Sequence, residues 1–325
     1  MPSYPKDSAS NESNPIVSFV IVSWNAKDYL RDCLQSIRDN CTVRSEILVV
    51  DNASQDGSPE LVRTQFPGCR LVETGANLGF AKGNNIGIGL ASGMYLFLVN
   101  SDVKILPGCV ETMVQLMDAN PDIGLAGPQM LGADGVTVRR GTMRFPTLWN
   151  CFCRALALDA VFPRSAIFAG YLMGDFDHRR TRDVEILNGW FWVTRREALD
   201  KVGGLDERFF MYGEDMDWNY RFHQAGWRNV FCAEAAAIHY GGASSAVAPA
   251  RFYVEKQRAN LQYWDKHHGQ MAAFAYLCTV LMHEILRTVG YTVAYLFRSS
   301  TRKIAAAKIR RSLICVACLT KLRTV

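Results

Sequence analysis

The chain has 325 residues, of which 49% are hydrophobic and 21% are charged. This composition is typical of a folded globular protein and excludes a disordered or fibrous chain. The formal net charge of +5 is too small to indicate a nucleic-acid-binding protein, and the sequence has no tandem repeat of the kind found in solenoids.

The two ends of the chain differ from its centre. Residues 1–15 are polar and lack the apolar segment of a signal peptide, which predicts a disordered tail on a protein that is not exported. Residues 271–325 carry nine Lys or Arg and one acidic residue, whereas residues 1–270 have a net charge of −3. The ten Cys have no zinc-ligand spacing, so reduced thiols and a cytoplasmic location are expected.

Strand and helix patterns alternate through the first part of the chain. A continuous β-branched segment at 16–24 predicts a buried strand, and Asn25 is placed to cap the helix that follows. Further strands are predicted at 46–51, 70–73 and 95–100, and further helices at 59–66 and from near Pro107. This alternation predicts an α/β fold with a mostly parallel sheet and helices on both faces, which binds ligands at the carboxyl ends of its strands.

Two aspartates follow strands of this predicted sheet. Asp51 and Asp102 each close an apolar strand, and either one alone is typical of a turn or a helix cap. Between them, the Asn- and Gly-rich segment 77–87 is predicted as a loop, although it lacks the dinucleotide and P-loop motifs. Gly79, Gly83 and Lys82 suit this segment to a diphosphate, because glycine allows close backbone approach and lysine adds charge. Together these features predict a ligand site.

The second half of the chain is irregular before the pattern returns. Residues 132–185 have a weak pattern, which predicts a mobile lid or binding loop. A strand at 190–193 and a short helix at 195–202 follow, and an aromatic and acidic cluster at 209–218 runs into a helix that ends at Gly226. The remaining predicted elements are a strand at 229–232, a loop at 239–242 and a charged helix at 251–268.

The acidic cluster contains candidates for acid–base chemistry. Glu214, Asp215 and Asp217 lie in the first turn of a predicted helix, where carboxylates also stabilise the helix dipole. The apolar residues at 209–212 are expected to desolvate these acids partly, and desolvation raises the pKa of a carboxyl group. A carboxylate with a raised pKa is a better general base near neutral pH.

A candidate metal site combines two of the polar strand-end residues. Asp102 is a candidate ligand because divalent cations that bridge phosphates bind one or two carboxylates. His239 is a second candidate, although a lone loop histidine is also typical of a surface or packed residue. A mixed carboxylate and imidazole set favours Mn²⁺ over Mg²⁺.

The C-terminal segment, residues 269–325, is predicted to form amphipathic, basic helices. Residues 271–297 are apolar, but His283, Glu284 and Arg287 interrupt them, so no clean stretch of about 20 apolar residues is available to span a bilayer. The segment is therefore expected to lie on a membrane surface. A helical hairpin packed on the rest of the protein, or a dimer interface, is the alternative.

Taken in order, these motifs resemble the inverting family 2 glycosyltransferases with the GT-A fold, especially the bacterial rhamnosyltransferase-like branch. The resemblance covers about residues 16–268, which divides the chain into a tail (1–15), a GT-A domain (16–268) and the C-terminal segment. Its motifs are 20–25, 49–54, 77–87, 100–102, 204–217 and 239–242. The Asp-X-Asp motif of the family is Asn-Ser-Asp here, so its first position adds no charge.

The resemblance implies roles for particular residues. The implied donor-binding residues are Ser23, Asn25, Asp51, Asn77, Gly79, Lys82, Asn84, Asn100, Ser101 and Asp102. Asp51 would bind the uracil or thymine ring, and Asp102 with His239 would hold Mn²⁺ or Mg²⁺ on the diphosphate. Asp215 would be the general base, and Glu214 and Asp217 would orient it or the acceptor. The implied acceptor-side residues are Gly189 and Trp190.

The implied activity is transfer of a sugar from a nucleoside-diphosphate donor with inversion of configuration. The branch suggests a dTDP-rhamnose donor, with UDP-sugars next, and a glycan or polyprenyl-diphosphate-linked acceptor. Such an enzyme would work on cell-surface polysaccharide at the inner face of the cell membrane, as a peripheral cytoplasmic protein that binds no nucleic acid.

Two other functions compete with this interpretation. Sugar-nucleotide nucleotidyltransferases share the sheet but resemble one another in a Gly-rich loop after the first strand, and residues 23–27 contain no Gly. A catalytically inactive, membrane-associated subunit of a polysaccharide assembly complex is the second alternative. The presence of Asp102, Asp215 and His239 argues against it.

Overall fold

The structure, a computed structural model, describes residues 15–241, 249–298, 300 and 302–321. The predicted tail at 1–15 therefore lies almost wholly outside the described residues. The strands are β1 (Val17–Ser23), β2 (Ser45–Asp51), β3 (Arg70–Glu73), β4 (Tyr95–Asn100), β5 (Val103–Ile105), β6 (Ile123–Leu131), β7 (Val138–Arg139), β8 (Thr142–Met143), β9 (Arg182–Asp183), β10 (Ile186–Leu187), β11 (Phe191–Arg195) and β12 (Arg228–His239). The helices are α1 (Lys27–Asn40), α2 (Ser58–Gln65), α3 (Phe80–Leu90), α4 (Cys109–Ala119), α5 (Leu148–Ala155), α6 (Leu158–Val161), α7 (Arg196–Val202), α8 (Glu214–Gln224), α9 (Pro249–Phe297) and α10 (Arg302–Lys321).

The main sheet has ten strands, ordered β3-β2-β1-β4-β11-β6-β12-β5 with β7 and β9 at its side. Strands β3, β2, β1 and β4 are parallel, as are β6 and β12, whereas β11 and β5 run antiparallel to their neighbours. The predicted α/β fold with a mostly parallel sheet is confirmed. Strand β6 was not predicted, because its two glycines and a proline weaken the strand pattern.

Both faces of the sheet are buried. Along β1, Phe19 and Ile21 join one hydrophobic cluster, whereas Val20 between them joins a second cluster on the other face. Side chains of a strand alternate between faces, so a run of apolar residues indicates cover on both sides. This arrangement places the polar residues that follow each strand at the carboxyl edge of the sheet.

The start of α1 differs from the prediction that Asn25 caps it. The N-cap residue is Ala26, and Asn25 has a left-handed φ of 48°. The side-chain oxygen of Asn25 instead accepts a hydrogen bond from the backbone N of Gln55 (2.7 Å). The free backbone N–H of Lys27 donates to Oδ2 of Asp56 (2.8 Å), so the cap comes from a distant loop.

The predicted loop at 77–87 is wrong in its second half, which forms α3. Its glycines serve helix packing: a Cβ atom on Gly87 would lie 2.3 Å from Cγ1 of Val20, and one on Gly83 would lie 2.9 Å from Cγ1 of Val22. These residues must therefore be glycine for α3 to lie against β1. Glycine lowers helix propensity, which is why the sequence pattern indicated a loop.

Replacing Gly87 by Ala is expected to lower the free energy of unfolding by about 1–3 kcal/mol, since the added methyl group overpacks the contact with β1. Gly89 on the same helix is the matched control, because a Cβ there meets nothing within 4 Å. Gly89→Ala is expected to raise stability by about 0.5–1 kcal/mol through helix propensity. Urea unfolding measures both, and equal effects would contradict the packing role of Gly87.

The predicted lid at 132–185 is more structured than expected, since it contains β7, β8, α5 and α6. Helix α5 packs against α9, which is interrupted at Gly269 (φ 80°). A third hydrophobic cluster joins residues of α9 and α10 to Ile186, Phe209 and Met216. The C-terminal helices thus pack on the rest of the protein, as in the hairpin alternative.

One part of α9, Ala250–Phe297, is the only described helix long and apolar enough to cross a membrane by length and composition. An 18-residue window of this helix has a mean hydropathy of 1.3, and 28% of that window is buried. The core helix of a soluble protein passes the same test, so this observation is weak support for membrane association.

Candidate active site

A cavity of about 550 Å³ lies at the carboxyl edge of the sheet. Several of the predicted site residues line it: Asn77, Gly79, Asn100, Ser101, Asp102, Gly189 and His239. Gly79 has a φ of 87°, and a Cβ atom there would lie 2.5 Å from the backbone oxygen of Phe210. Only glycine fits this position, which brings the wall of the cavity close to the segment before α8.

Two buried polar residues sit where β1 and β2 end beside each other, because Ser23 pairs with Asp51 in the sheet. Oδ2 of Asp51 accepts a hydrogen bond from the backbone N of Ser54 (2.8 Å). Among the described residues, Oδ1 of Asp51 and Oγ of Ser23 have no hydrogen-bond partner. Buried polar atoms are normally hydrogen-bonded, so this pair has unused capacity for a polar ligand group.

Five predicted donor-binding residues do not line the cavity: Ser23 and Asp51, described above, and three whose side chains are engaged elsewhere. Nζ of Lys82 lies 3.8 Å from Oε2 of Glu207 at the exposed surface of α3. Asn84 is buried and donates to the backbone oxygen of Phe80 (2.9 Å), so its amide stabilises α3. Asn25 is the third, because its side chain is engaged with Gln55. Their predicted contact with a donor depends on rearrangement of these side chains.

Asp102 and His239 meet at one side of the cavity, where β5 pairs with the end of β12. Nε2 of His239 lies 3.2 Å from Oδ1 of Asp102, and the backbone N of Gly241 donates to Oδ2 (3.1 Å). One carboxylate and one imidazole fit a divalent cation that takes its other ligands from phosphate oxygens. The described part of the chain has no group of three or more metal-ligating side chains.

The acidic pair Glu214 and Asp215 begins α8 after two left-handed residues, Tyr212 (φ 69°) and Gly213 (φ 81°). Burial, reinforced by the charge of Asp215, raises the pKa of Glu214 well above its usual range. Burial also raises the pKa of Asp215, although the hydrogen bond from the backbone N of Met216 and the charge of Lys256 partly lower it. These are the properties expected of a general base.

Asp215 lies beside the cavity. A Cβ atom on Gly189, which lines the cavity, would be 3.7 Å from Cβ of Asp215. Glu214 is 6% exposed, and among the described residues its Oε2 has no hydrogen-bond partner. Of the two acids, Asp215 is therefore the one placed to reach a substrate.

Asp217 occupies a different environment from its two neighbours. It is fully buried, and its oxygens lie 2.9 Å from Nε of Arg221, 2.5 Å from Nζ of Lys266 and 2.7 Å from Nε2 of His267. Burial alone would raise the pKa of Asp217. The hydrogen bond from His267 and the charges of Arg221 and Lys266 outweigh burial, so the pKa is lowered. Asp217 thus ties α8 to α9, which differs from the predicted role of orienting the base or the acceptor.

Trp190, predicted to lie on the acceptor side, is a buried residue of the site. It is 4% exposed, and its ring stacks on that of His239 at a centroid distance of 5.5 Å. Its backbone oxygen accepts from the N of Asn100 (3.0 Å). Trp190 therefore holds the histidine of the candidate metal site in place.

Several lining residues were missed by the sequence reasoning, namely Asn52, Phe210, Tyr212, Arg251 and Phe252. Asn52 donates to the backbone oxygen of Gly79 (3.0 Å) and so connects two predicted motifs. Arg251 and Phe252 belong to the start of α9. Their only sequence signal was the position of this charged helix directly after the predicted loop at 239–242.

The sheet order and the cavity at its carboxyl edge define an α/β enzyme with the GT-A fold. The chain belongs to Glycosyl transferase family 2, whose family model matches residues 18–203, and it is a glycosyltransferase. The family predicted from the sequence is thereby confirmed. The acidic residues of α8 and His239 lie beyond the matched range.

The curated relatives of this chain include a rhamnosyltransferase and an O-antigen biosynthesis protein. N-acetylglucosaminyl-diphospho-decaprenol L-rhamnosyltransferase of Mycobacterium tuberculosis is 28% identical over 266 residues, which cover 78% of this chain and 86% of that protein. The O-antigen biosynthesis protein RfbC of Myxococcus xanthus is 26% identical over 240 residues, which cover 71% of this chain but 18% of that protein.

Solved structures share the fold at low sequence identity. The mannosyltransferase PcManGT of Pyrobaculum calidifontis, in complex with GDP-Man and Mn²⁺, aligns with a TM-score of 0.55 and 16% identity over 96% of this chain and 90% of that chain. TarS 1–349 of S. aureus aligns with a TM-score of 0.51 and 14% identity over 91% of this chain and 88% of that chain.

Proposed function

We propose that this glycosyltransferase transfers a sugar, rhamnose in the first instance, from a nucleoside-diphosphate donor to a lipid-linked acceptor with inversion of configuration. The observation that carries the proposal is the position of the desolvated Asp215 beside a cavity that holds the pair of Asp102 and His239 on its wall. The rhamnosyltransferase of Mycobacterium tuberculosis supports the choice of sugar and acceptor class.

In the proposed reaction, Asp215 accepts the proton of the acceptor hydroxyl as the oxygen forms its bond to C1 of the donor sugar. The bond from C1 to the diphosphate breaks on the opposite face, and the diphosphate leaves with the electron pair. Asp102 and His239 would hold a Mn²⁺ or Mg²⁺ ion, which supplies positive charge for this leaving group. Arg251 on the cavity wall adds a further positive charge.

The unused polar atoms of Ser23 and Asp51 are proposed to bind the base of the nucleotide. The enzyme is proposed to act at the cytoplasmic face of the membrane, supported by the exposed apolar residues of α9. Sedimentation of the full chain with vesicles of anionic lipid tests this location, and a protein that stays in the supernatant would contradict it.

A thermal-shift experiment tests the donor site. With Mn²⁺ present, dTDP or UDP is expected to stabilise the protein by about 2.7 kcal/mol at 100 times its Kd, since a ligand that binds only the folded state adds to stability. A chelator and the variant Asp102→Ala are each expected to remove this shift, because both remove the cation from the diphosphate.

Asp32→Ala on the exposed surface of α1 is the control, and it should retain the full shift. If neither nucleotide shifts the unaltered protein under any metal condition, the proposed donor site is wrong and the inactive assembly subunit becomes the better explanation.

A further inference from the structure

A second cavity of about 500 Å³ lies among α5, α8 and α9 and remains without a role in the function described above. Its wall includes Arg154, Tyr171, Met216, Lys256, His283 and Arg287. Met216 directly follows Asp215, and the hydroxyl of Tyr171 lies 3.8 Å from Sδ of Met216. Because Gly189 lines the first cavity and Met216 lines the second, Asp215 lies close to both cavities.

The second cavity carries an excess of positive charge. Its cations are Arg154, Lys256 and Arg287, and Asp159 is the one carboxylate among the described residues of its wall. Asp159 lies 3.9 Å from Nη1 of Arg154, at the limit of an ion pair. Within the described ranges, Lys256 makes no ion pair or hydrogen bond, although its charge acts on Asp215. Lys256 is therefore available to bind an anion, and the ion pair of Arg154 is long enough to be exchanged for one.

Neighbouring side chains hold Arg287 in position. Its Nη1 donates to the hydroxyl of Tyr253 (2.9 Å) and lies 3.8 Å from Oε1 of the buried Glu284. The same Nη1 lies 3.4 Å from Nε2 of His283. An arginine oriented by such partners loses little side-chain entropy when it binds an anionic group.

Exposed apolar residues border this cationic cavity. Nδ1 of His283 lies 3.2 Å from the backbone oxygen of Ala155, and this contact brings α5 against the second half of α9. Beside it, Leu156 and Leu286 are 40% and 46% exposed, and Ile285 and Val289 are 60% and 58% exposed. Exposed apolar side chains near a cationic cavity match an amphiphile with an anionic head group.

We propose that the second cavity binds the diphosphate of the lipid-linked acceptor through Arg154, Lys256 and Arg287, while the hydrocarbon chain lies on the apolar surface formed by Leu156, Ile285, Leu286 and Val289. This inference rests on the proposed function. It places the acceptor and the donor on opposite sides of Asp215, so that the sugar hydroxyl next to the diphosphate reaches the base from the second cavity.

The test uses farnesyl diphosphate as the probe and isothermal titration calorimetry on the full chain, with the donor site saturated with nucleoside diphosphate and Mn²⁺. The double variant Arg154→Gln/Lys256→Gln is expected to weaken binding by about tenfold or more, because hydrogen bonds to charged groups are strong. The double variant Arg63→Gln/Arg70→Gln, which removes the same charge from an exposed surface, is expected to bind as the unaltered protein does.

Two further probes distinguish the parts of the ligand. Farnesol lacks the diphosphate and inorganic pyrophosphate lacks the hydrocarbon, so both are expected to bind at least about tenfold more weakly than farnesyl diphosphate. Farnesyl diphosphate binding that is absent, equal to that of either probe, or unchanged in the Arg154→Gln/Lys256→Gln variant would overturn the inference.

Nucleoside diphosphate binding is measured separately by thermal shift. This measurement distinguishes failure of the second site from failure of the proposed function. If nucleotide binding persists while the prenyl diphosphate results fail, only the second site is wrong. If the unaltered protein binds no nucleotide, the proposed function itself fails. Normal nucleotide binding by the double variant also shows that it is folded.

Discussion

Replacing Asp215 by Asn is expected to lower kcat for sugar transfer by about 10²–10⁴-fold, the usual contribution of a general base. The amide keeps the shape of the side chain but takes no proton. Because Asp215 lies beside the donor cavity without lining it, nucleoside diphosphate binding is expected to stay within a few fold. Transfer assays with single-turnover kinetics and thermal shift separate the two effects.

The pH profile gives a second test of the same residue. Because burial raises the pKa of Asp215, the base becomes protonated, and activity falls, at a higher pH than for an ordinary carboxyl group. Asp200→Asn, at an exposed position of α7, is the matched control and should leave both rate and profile unchanged. Near-normal turnover in Asp215→Asn would remove Asp215 from the mechanism, whereas lost nucleotide binding would make its role structural.

The second large effect is expected at Asp217, where replacement by Ala should lower the free energy of unfolding by about 3–5 kcal/mol. The change removes the carboxylate partner of Arg221 and of the His267 ring, leaves Lys266 with Asp206 alone, and breaks the polar link between α8 and α9. Urea unfolding measures the loss. Asp265→Ala, an exposed position of α9, is expected to change stability by less than about 0.5 kcal/mol.

The stabilisation by Asp217 also depends on pH. Because its pKa in the folded protein is lowered, the carboxylate contributes fully above the unfolded-state pKa of about 3.9, and the contribution is lost as the pH falls through the lower folded value. The difference in stability between the unaltered protein and Asp217→Ala should therefore shrink in acid. A difference that stays constant between neutral and strongly acidic pH would contradict the role of the ion pairs.

The sequence predicted the parallel half of the sheet well because local pattern decides it. Strands β3 and β4 have the predicted bounds, since each is a short apolar or β-branched run between turn residues. Helix α3 was missed because Gly83 and Gly87 satisfy a packing constraint from β1, which acts between distant parts of the chain. Local propensity points the other way at those positions.

In the candidate site too, local motifs were predicted correctly, whereas contacts between distant parts of the chain were not. Motifs at strand ends identified Asp102 and His239, which the fold brings to 3.2 Å. The roles predicted for Asp217 and Trp190 came from their chemistry alone, whereas their surroundings are set by α9 and by the ring of His239. No local sequence pattern predicts that α9 packs against α8. Arg251 as a residue of the site and the cationic second cavity could therefore not be predicted from the sequence.

The third hydrophobic cluster has a practical consequence for protein engineering. Because residues of α9 and α10 share this core with Ile186, Phe209 and Met216, the two parts of the chain form one packing unit. A chimaera that exchanges only the C-terminal helices with those of a relative would join mismatched surfaces at Met216, the residue that follows Asp215. Recombination of acceptor preference between members of the family therefore requires the segment around Phe209 and Met216 to be exchanged together with the helices.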